Sequence, residues 1–326
     1  MTIEKTVLVP LDADQTFALL TEPERLRRWQ TVSARVDLRA GGEFRWTVVP
    51  GANACGTFVE VEPGKRLVYT WGWEGDESLS PGTSTITVTL EPADGGTTVR
   101  LVHEGLTPEQ EESHSSGWDH FMERLAVAGR DGDAGLEPWV VRDAETWDQL
   151  GAAEASLALC SFVLRRMAPG DGKAQTPCAK YDVDQLTQHL AGSLVSLGGC
   201  VGVEVTPDED AEREARIADL AQPVLEGWRR HGLDGMVTLG GGSEFPAEVA
   251  ARILSLELLV HAWDFARATG QELPANDGLS TYVLGLAKDG LIAPEARDGD
   301  NFADEVTLGV DADPMALLVA YTGRQP

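Results

Sequence analysis

The chain has 326 residues, which is more than one small domain needs and predicts two domains, each with its own core. Hydrophobic residues make up 42% and charged residues 24%, a composition that excludes disorder as the main state. The formal net charge of −27 would repel phosphate groups, so it argues against a nucleic-acid-binding protein and against docking on an anionic membrane.

Neither a membrane span nor an export signal is expected. The apolar run Leu254–Ala262 is far shorter than a span and is interrupted by Glu257 and His261. The first ten residues, MTIEKTVLVP, lack a charged segment followed by a long apolar one. The 4 cysteines form no CxxC pair, which is typical of reduced thiols in the cytoplasm. We therefore expect a cytoplasmic protein.

The N-terminal part alternates like β-strands up to about Val102. After a first strand at Ile3–Val9, the predicted strands are Glu43–Val49, Gly56–Val61, Arg66–Trp73, Ser84–Leu90 and Thr97–His103. Glycine-rich turns between them predict an antiparallel meander. The predicted helices are Ala13–Leu20, Glu24–Trp29 and a longer one after Thr107, where Thr107, Pro108 and Gln110 form the pattern of a capping box.

The hydrophobic period changes to 3.6 residues beyond about Val140. Residues 131–140 are polar and glycine-rich, and are interpreted as a linker between a domain at 1–130 and a domain at 141–326. The predicted helices are Thr146–Met167, Asp182–Leu197, Asp208–Gly232, Pro246–Thr269 and Gly278–Asp289. Asp182 is a predicted N-cap, with Gln185 three residues later. The pattern predicts an all-α four-helix bundle with an irregular C-terminal tail.

Several N-terminal segments, in order, carry a family resemblance: VLVPLDADQTFALLTEPERLRRW, GGEFRW, GTFVEVEPGKRLVYTW and GWDHFMERL. Together they resemble the START-like domains of the SRPBCC class named after the activator of Hsp90 ATPase (AHSA1). The resemblance covers residues 1–130. It implies an α+β helix-grip fold, in which a curved sheet wraps a long helix, often around an apolar cavity that binds a small molecule.

Four tryptophans are candidates for lining this cavity, because pockets are often aromatic. They are Trp46, Trp71, Trp73 and Trp118. Simple packing between sheet and helix is the alternative for the same side chains. His103, His114 and His120 have no matching carboxylate or cysteine spacing, so this part of the chain shows no metal or nucleophile motif.

A candidate metal site lies in the C-terminal part. Glu257 and His261 are four residues apart in LSLELLVHAWDFARATG, so they project from one helix face. His189 lies mid-helix in YDVDQLTQHLAGSL. Polar groups in apolar helix faces are costly unless paired or coordinated, and three such ligands would leave open positions on a divalent metal. The ExxxH spacing alone also occurs by chance.

A second resemblance concerns the same segments. TPCAKYDVDQLTQHLAG, ELLVHAWDFARATGQELP and FADEVTLGVDADPMALLVAYTGRQP resemble the actinobacterial branch of the DinB-like superfamily, which includes the N-terminal domain of mycothiol-dependent maleylpyruvate isomerase. The resemblance runs from Thr146 to Pro326. It implies a four-helix bundle that binds a divalent metal, with zinc the first expectation, through His189, Glu257 and His261.

Two neighbouring residues have open interpretations. Asp264, three residues after His261, is expected to orient a metal ligand from behind, to act as a cap or to pair with Arg267. Cys178 stands just before the His189 helix and is interpreted as a structural thiol.

The isomerase reaction itself is not implied, because that enzyme has a further C-terminal domain with no counterpart here. The hypothesis is a metal-dependent transferase or isomerase that uses a low-molecular-weight thiol, with mycothiol as the candidate cosubstrate. Hydrolysis by metal-activated water is a further option. The alternative is a non-catalytic protein that sequesters a small molecule; a co-chaperone, suggested by the first family's name, is a third hypothesis.

Overall fold

The chain divides into two compact units, Met1–Glu137 and Pro138–Pro326. The structure is a computed structural model that describes residues 2–140, 147–239, 242–292, 297, 302–309 and 311–326. The predicted start of the second domain at 141 and the first residue of the predicted helix from Thr146 lie outside the described residues. Within the described ranges, no helix is long and apolar enough to cross a membrane.

A seven-stranded antiparallel sheet forms most of the first unit. Its strands are β1 (Thr2–Val9), β2 (Ser33–Val36), β3 (Glu43–Val49), β4 (Ala52–Glu62), β5 (Arg66–Trp73), β6 (Ser84–Ala93) and β7 (Gly96–Glu104). Their spatial order is β1-β7-β6-β5-β4-β3-β2. The predicted strands are confirmed with small shifts of their ends. The short β2 is an addition, and its four residues are too few to show a clear alternation.

Three helices accompany this sheet: α1 (Ala13–Thr21), α2 (Pro23–Leu26) and α3 (Pro108–Asp131). The predicted capping box of α3 is present, because the Thr107 side chain accepts from Gln110 N and the Gln110 side chain accepts from Thr107 N. α3 packs on β1 so closely that a Cβ added at Gly129 would lie 2.5 Å from Val9 Cγ1. A long helix packed on an antiparallel sheet fits the predicted helix-grip domain.

The segment after α3 packs on the first unit, although residues 131–140 are predicted as a linker. Arg124 Nη2 donates to the Gly135 carbonyl at 2.7 Å. Glu137 Oε1 lies 2.9 Å from His120 Nε2. His120 therefore has a carboxylate partner that the sequence pattern did not predict.

Helices dominate the second unit. They are α4 (Gln149–Leu164), α5 (Val183–Gly199), α6 (Arg213–His231), α7 (Ala247–Ala268), α8 (Asp277–Leu286) and α9 (Pro314–Tyr321). α4 packs on α6 and α7, and α5 packs on the same two helices, so these four surround one core. Every residue of α4 except Phe162 is buried, which makes α4 the central helix of this unit.

Two predictions for the second unit need correction. The all-α assignment is wrong at β8 (Met236–Leu239) and β9 (Ser243–Pro246), which form an antiparallel hairpin between α6 and α7. Val237 is buried between exposed neighbours, the alternation of a strand. The predicted irregular tail contains α9, whose N-cap is Asp313 and whose first residue is Pro314.

Candidate metal centre

His189 projects from α5, two turns after the start of that helix. The start is fixed by the predicted capping box, in which Asp182 accepts from Gln185 N at 2.9 Å and Gln185 accepts from Asp182 N at 3.0 Å. Tyr181, the residue before the N-cap, stacks on the His189 ring with a centroid distance of 5.1 Å and an interplanar angle of 21°. The ring is thus held on one face, and 36% of the His189 side chain stays exposed.

Glu257 and His261 lie one turn apart on α7, which packs against α5. Glu257 Oε2 is 3.4 Å from His189 Nε2 and 3.6 Å from His261 Nε2. One ligand atom from each of the three residues lies within 4.8 Å of the other two. The structure therefore brings together the three residues that the sequence analysis selected as metal ligands.

The Glu257 carboxylate carries the strongest indication that a cation fits between these side chains. Its Oε2 atom is buried, yet no hydrogen bond of acceptable geometry reaches it. A buried charged oxygen without such a bond is costly, and a metal ion would satisfy it. Two imidazole nitrogens and one carboxylate oxygen are also the donor set that zinc accepts, so the residues present fit the expected metal.

The ring of His261 is held from behind by Asp264. His261 Nδ1 donates to Asp264 Oδ2 at 2.9 Å, which leaves Nε2 as the ring atom that faces Glu257. This is the carboxylate–histidine arrangement common at metal sites. The alternative partner of Asp264, Arg267, lies instead over the ring of Trp263.

Arg324, which the sequence analysis did not select, completes this arrangement. Its Nε and Nη2 atoms donate to Oδ1 and Oδ2 of Asp264, both at 2.7 Å. Asp264 is fully buried and only 10% of the Arg324 side chain is exposed. The two residues are separated by 60 positions, and no local pattern joins them.

Burial and charge act against each other at these groups. Burial alone would raise the pKa of Glu257, but the adjacent His189 and His261 outweigh it and hold that pKa well below the usual range. Burial would lower the pKa of His261, but hydrogen bonds and charges from Asp264 and Glu257 raise it to about 9. Burial would raise the pKa of Asp264, yet His261 and Arg324 lower it. The lowered pKa of Glu257 and the raised pKa of His261 thus reflect the attraction between these two side chains.

The cluster opens into a cavity of about 270 Å³. Ile253, Leu256 and Val260 form an apolar wall on α7, and Cys178 and Arg324 belong to the polar lining. Cys178, interpreted from the sequence as a structural thiol, thus shares a cavity with the three cluster residues. Burial raises the pKa of this thiol, so it stays protonated near neutral pH.

Three of the four candidate tryptophans of the first unit are buried in its core. Trp46, Trp71 and Trp118 are 1–4% exposed. Trp46 and Trp118 line a void of about 10 Å³ between sheet and helix, which holds about one water molecule. Trp71 and Trp73 do not line this void, and their rings pack edge-on against each other with a centroid distance of 5.3 Å, as the packing alternative expects.

A hydrogen-bonded chain satisfies both ring nitrogens of the buried His103. Trp118 Nε1 donates to His103 Nδ1 at 3.1 Å, so Nδ1 is unprotonated. His103 Nε2 therefore carries the proton and donates to Ser84 Oγ at 2.9 Å, and Ser84 Oγ donates to the Trp71 carbonyl at 3.0 Å. Nearby, Trp73 Nε1 donates to His114 Nε2 at 3.1 Å.

Comparison with known families addresses the first unit. The profile of the family described as activator of Hsp90 ATPase homolog 1-like protein matches residues 10–129. Residues 10–129 are an AHSA1 domain of the START-like class. The solution structure of the Aha1 dimer from Colwellia psychrerythraea is 18% identical with a TM-score of 0.36, and covers 39% of this chain and 95% of its own.

Two further relatives were found. The crystal structure of DynU16, from the dynemicin biosynthetic locus, is 22% identical with a TM-score of 0.37, and the match covers 41% of this chain and 48% of DynU16. This chain thus spans about half the length of that protein. The uncharacterized protein Rv0738 of Mycobacterium tuberculosis is 28% identical over 154 residues, which are 46% of this chain and 82% of the relative.

Proposed function

We propose that the second unit binds one divalent metal ion, with zinc as the first candidate, and that the protein is a metal-dependent transferase or isomerase that uses a low-molecular-weight thiol. The observation that carries this proposal is the convergence of ligand atoms from His189, Glu257 and His261 within 4.8 Å at the wall of a cavity. The buried Glu257 Oε2 atom, which lacks a hydrogen bond, supports a cation at this point.

The resemblance of this unit to the DinB-like superfamily favours the same ligand set and suggests mycothiol as the thiol. A bound divalent cation supplies a positive charge that lowers the pKa of a thiol and so favours the nucleophilic thiolate. With three protein ligands, positions remain open for an incoming group, as in catalytic zinc sites.

The chain's own residues have distinct tasks in this proposal. His189, Glu257 and His261 hold the ion, and Asp264 keeps the His261 lone pair directed at it. The apolar wall of the 270 Å³ cavity excludes water and accommodates the organic substrate. Burial raises the pKa of the Cys178 thiol, so the proposal assigns the role of nucleophile to the external thiol.

The proposal is tested on purified full-length protein in two steps. Metal content is measured by mass spectrometry, and transfer of mycothiol, and of N-acetylcysteine as a simple thiol, to 1-chloro-2,4-dinitrobenzene is then followed with and without a chelator. We expect one metal per chain and a chelator-sensitive rate that is lost in Glu257→Gln. If the metal-loaded protein accelerates the transfer of neither thiol, the result favours the alternative of a non-catalytic sequestering protein.

A further inference from the structure

The Arg324 side chain is joined to the candidate metal centre by its hydrogen bonds to Asp264. The contacts run in series: Arg324 binds both oxygens of Asp264, Asp264 Oδ2 accepts from His261 Nδ1, and His261 Nε2 faces Glu257. We propose that Arg324 is a positioning residue of the metal centre, which fixes the His261 ring by fixing the plane of the Asp264 carboxylate. This inference rests on the metal site proposed above.

A single hydrogen bond from His261 would leave the Asp264 carboxylate free to rotate. The guanidinium of Arg324 meets the carboxylate as a planar fork, with two parallel bonds of 2.7 Å. Such a bidentate pair fixes the carboxylate plane as well as its position, which a point charge cannot do. Oδ2, the oxygen that receives His261, is therefore held in the direction that the ring requires.

The backbone around Arg324 explains how the guanidinium is held at this place. α9 ends in a Schellman motif: Arg324 N donates to the Val319 carbonyl and Gly323 N donates to the Ala320 carbonyl, both at 3.0 Å. Gly323 has a φ of +87°, and a Cβ there would lie 2.9 Å from the Ala303 carbonyl carbon. Only glycine meets both conditions, so the turn that directs Arg324 toward α7 is tightly specified.

The remaining donor group of the arginine is also held. Arg324 Nη1 donates to Thr322 Oγ1 at 3.0 Å, and Thr322 Oγ1 donates to the Val319 carbonyl at 2.7 Å. The side chain is thus fixed from its own helix end on one side and from Asp264 on the other. Because Arg324 and Thr322 both line the cavity, a small solute can reach this place if the arginine is removed.

The test compares zinc affinity, measured by competition with a chromophoric chelator, and the visible spectrum of the cobalt-loaded full-length protein. Arg324→Ala is expected to weaken zinc binding by about 10–100-fold, as loss of an outer partner of a metal ligand does, and to alter the cobalt bands. Arg324→Lys keeps the positive charge but not the planar guanidinium, so its zinc affinity should lie between those of the wild type and Arg324→Ala. The matched control is Arg252→Met, another buried arginine, whose partners Glu248 and Asp289 do not line the cavity.

Added guanidinium ion gives a readout that a general loss of stability would not produce. It should restore part of the zinc affinity and the cobalt spectrum of Arg324→Ala, but not of Asp264→Asn. The double variant should bind zinc no more weakly than Asp264→Asn alone, because both changes interrupt one series of contacts. If Arg324→Ala is poorly folded, Arg324→Lys keeps the inference testable, because it retains the buried charge and should still weaken zinc binding.

Two outcomes overturn the inference in different ways. If the wild-type protein binds zinc but Arg324→Ala binds it equally well with an unchanged cobalt spectrum, Arg324 has no positioning role and the metal site stands. If Arg324→Ala and Asp264→Asn act additively, Arg324 does not act through Asp264. A wild-type protein without stoichiometric zinc overturns the metal site itself, and this inference with it.

Discussion

Glu257 Oε2 lies 3.4 Å from His189 Nε2, although the two residues belong to different helices and are 68 positions apart. The Glu257 carboxylate extends from α7 toward α5, and its buried Oε2 atom accepts no hydrogen bond. A cation at this point would join the two helices through their side chains. Metal binding should therefore be measurable as stability of the second unit.

Zinc is expected to raise the unfolding temperature of the protein, because an ion that binds only the folded state stabilises it by mass action. At a free zinc concentration of 100 times Kd, the gain is about 2.7 kcal/mol. Calorimetry of the chelator-treated chain, with and without zinc, measures this shift. It should vanish in Glu257→Gln and His261→Ala and persist in His231→Ala, since His231 is exposed and outside the cluster. Equal shifts in all variants would assign zinc to another site.

Two glycines of α3 should respond in opposite directions to alanine. At Gly129 the new Cβ would meet Val9 Cγ1 at 2.5 Å, so Gly129→Ala should lower the free energy of unfolding by about 1–3 kcal/mol. At Gly117 nothing lies within 4 Å, so Gly117→Ala should raise it by up to about 1 kcal/mol. Hydrogen exchange of the β1 and α3 amides reports both effects. A stabilising Gly129→Ala would show that α3 does not approach β1 this closely.

Because His103 is buried, we expect the free energy of unfolding of the first unit to decrease at acidic pH. Burial, together with the nearby His114, lowers the pKa of His103 to about 3, whereas the unfolded chain has the ordinary value of 6.5. Below pH 6.5 the unfolded chain therefore binds a proton that the folded unit does not. The stability contributed by neutral His103 is complete above pH 6.5 and falls toward pH 3, by up to about 1.4 kcal/mol per pH unit.

His103→Gln isolates this effect, because glutamine does not titrate and can both accept from Trp118 and donate to Ser84. Hydrogen exchange of the β6 and β7 amides, corrected for the intrinsic rate at each pH, measures the local free energy of opening. The difference between wild type and His103→Gln should shift in favour of the variant as the pH falls below 6.5. A difference that stays constant with pH would mean that His103 titrates alike in the folded and unfolded chains.

Local patterns in the sequence were sufficient for much of the fold. The capping boxes at Thr107–Gln110 and Asp182–Gln185 involve residues three positions apart, so the sequence alone specifies them. The Glu257–His261 pair is similar, because one helix turn brings the two side chains together. The β8–β9 hairpin was missed because each of its strands has only four residues, and only Val237 among those of β8 is buried.

The rest of the candidate site depends on tertiary contacts. Arg324 reaches Asp264 across 60 positions, and Cys178 comes near the cluster only because its loop folds over the same cavity. Neither relation leaves a periodic signal in the sequence. The sequence analysis predicted an irregular tail and missed α9, and the direction of the Arg324 side chain depends on how α9 packs in the unit.

Anomalous diffraction at the zinc edge, from crystals of the zinc-loaded protein, tests the central claim most directly. The account predicts one strong peak per chain in contact with His189 Nε2, Glu257 Oε2 and His261 Nε2, at about 2.0–2.2 Å from each. Stoichiometric zinc at another place, or a cluster whose three side chains point apart in the presence of zinc, would contradict it.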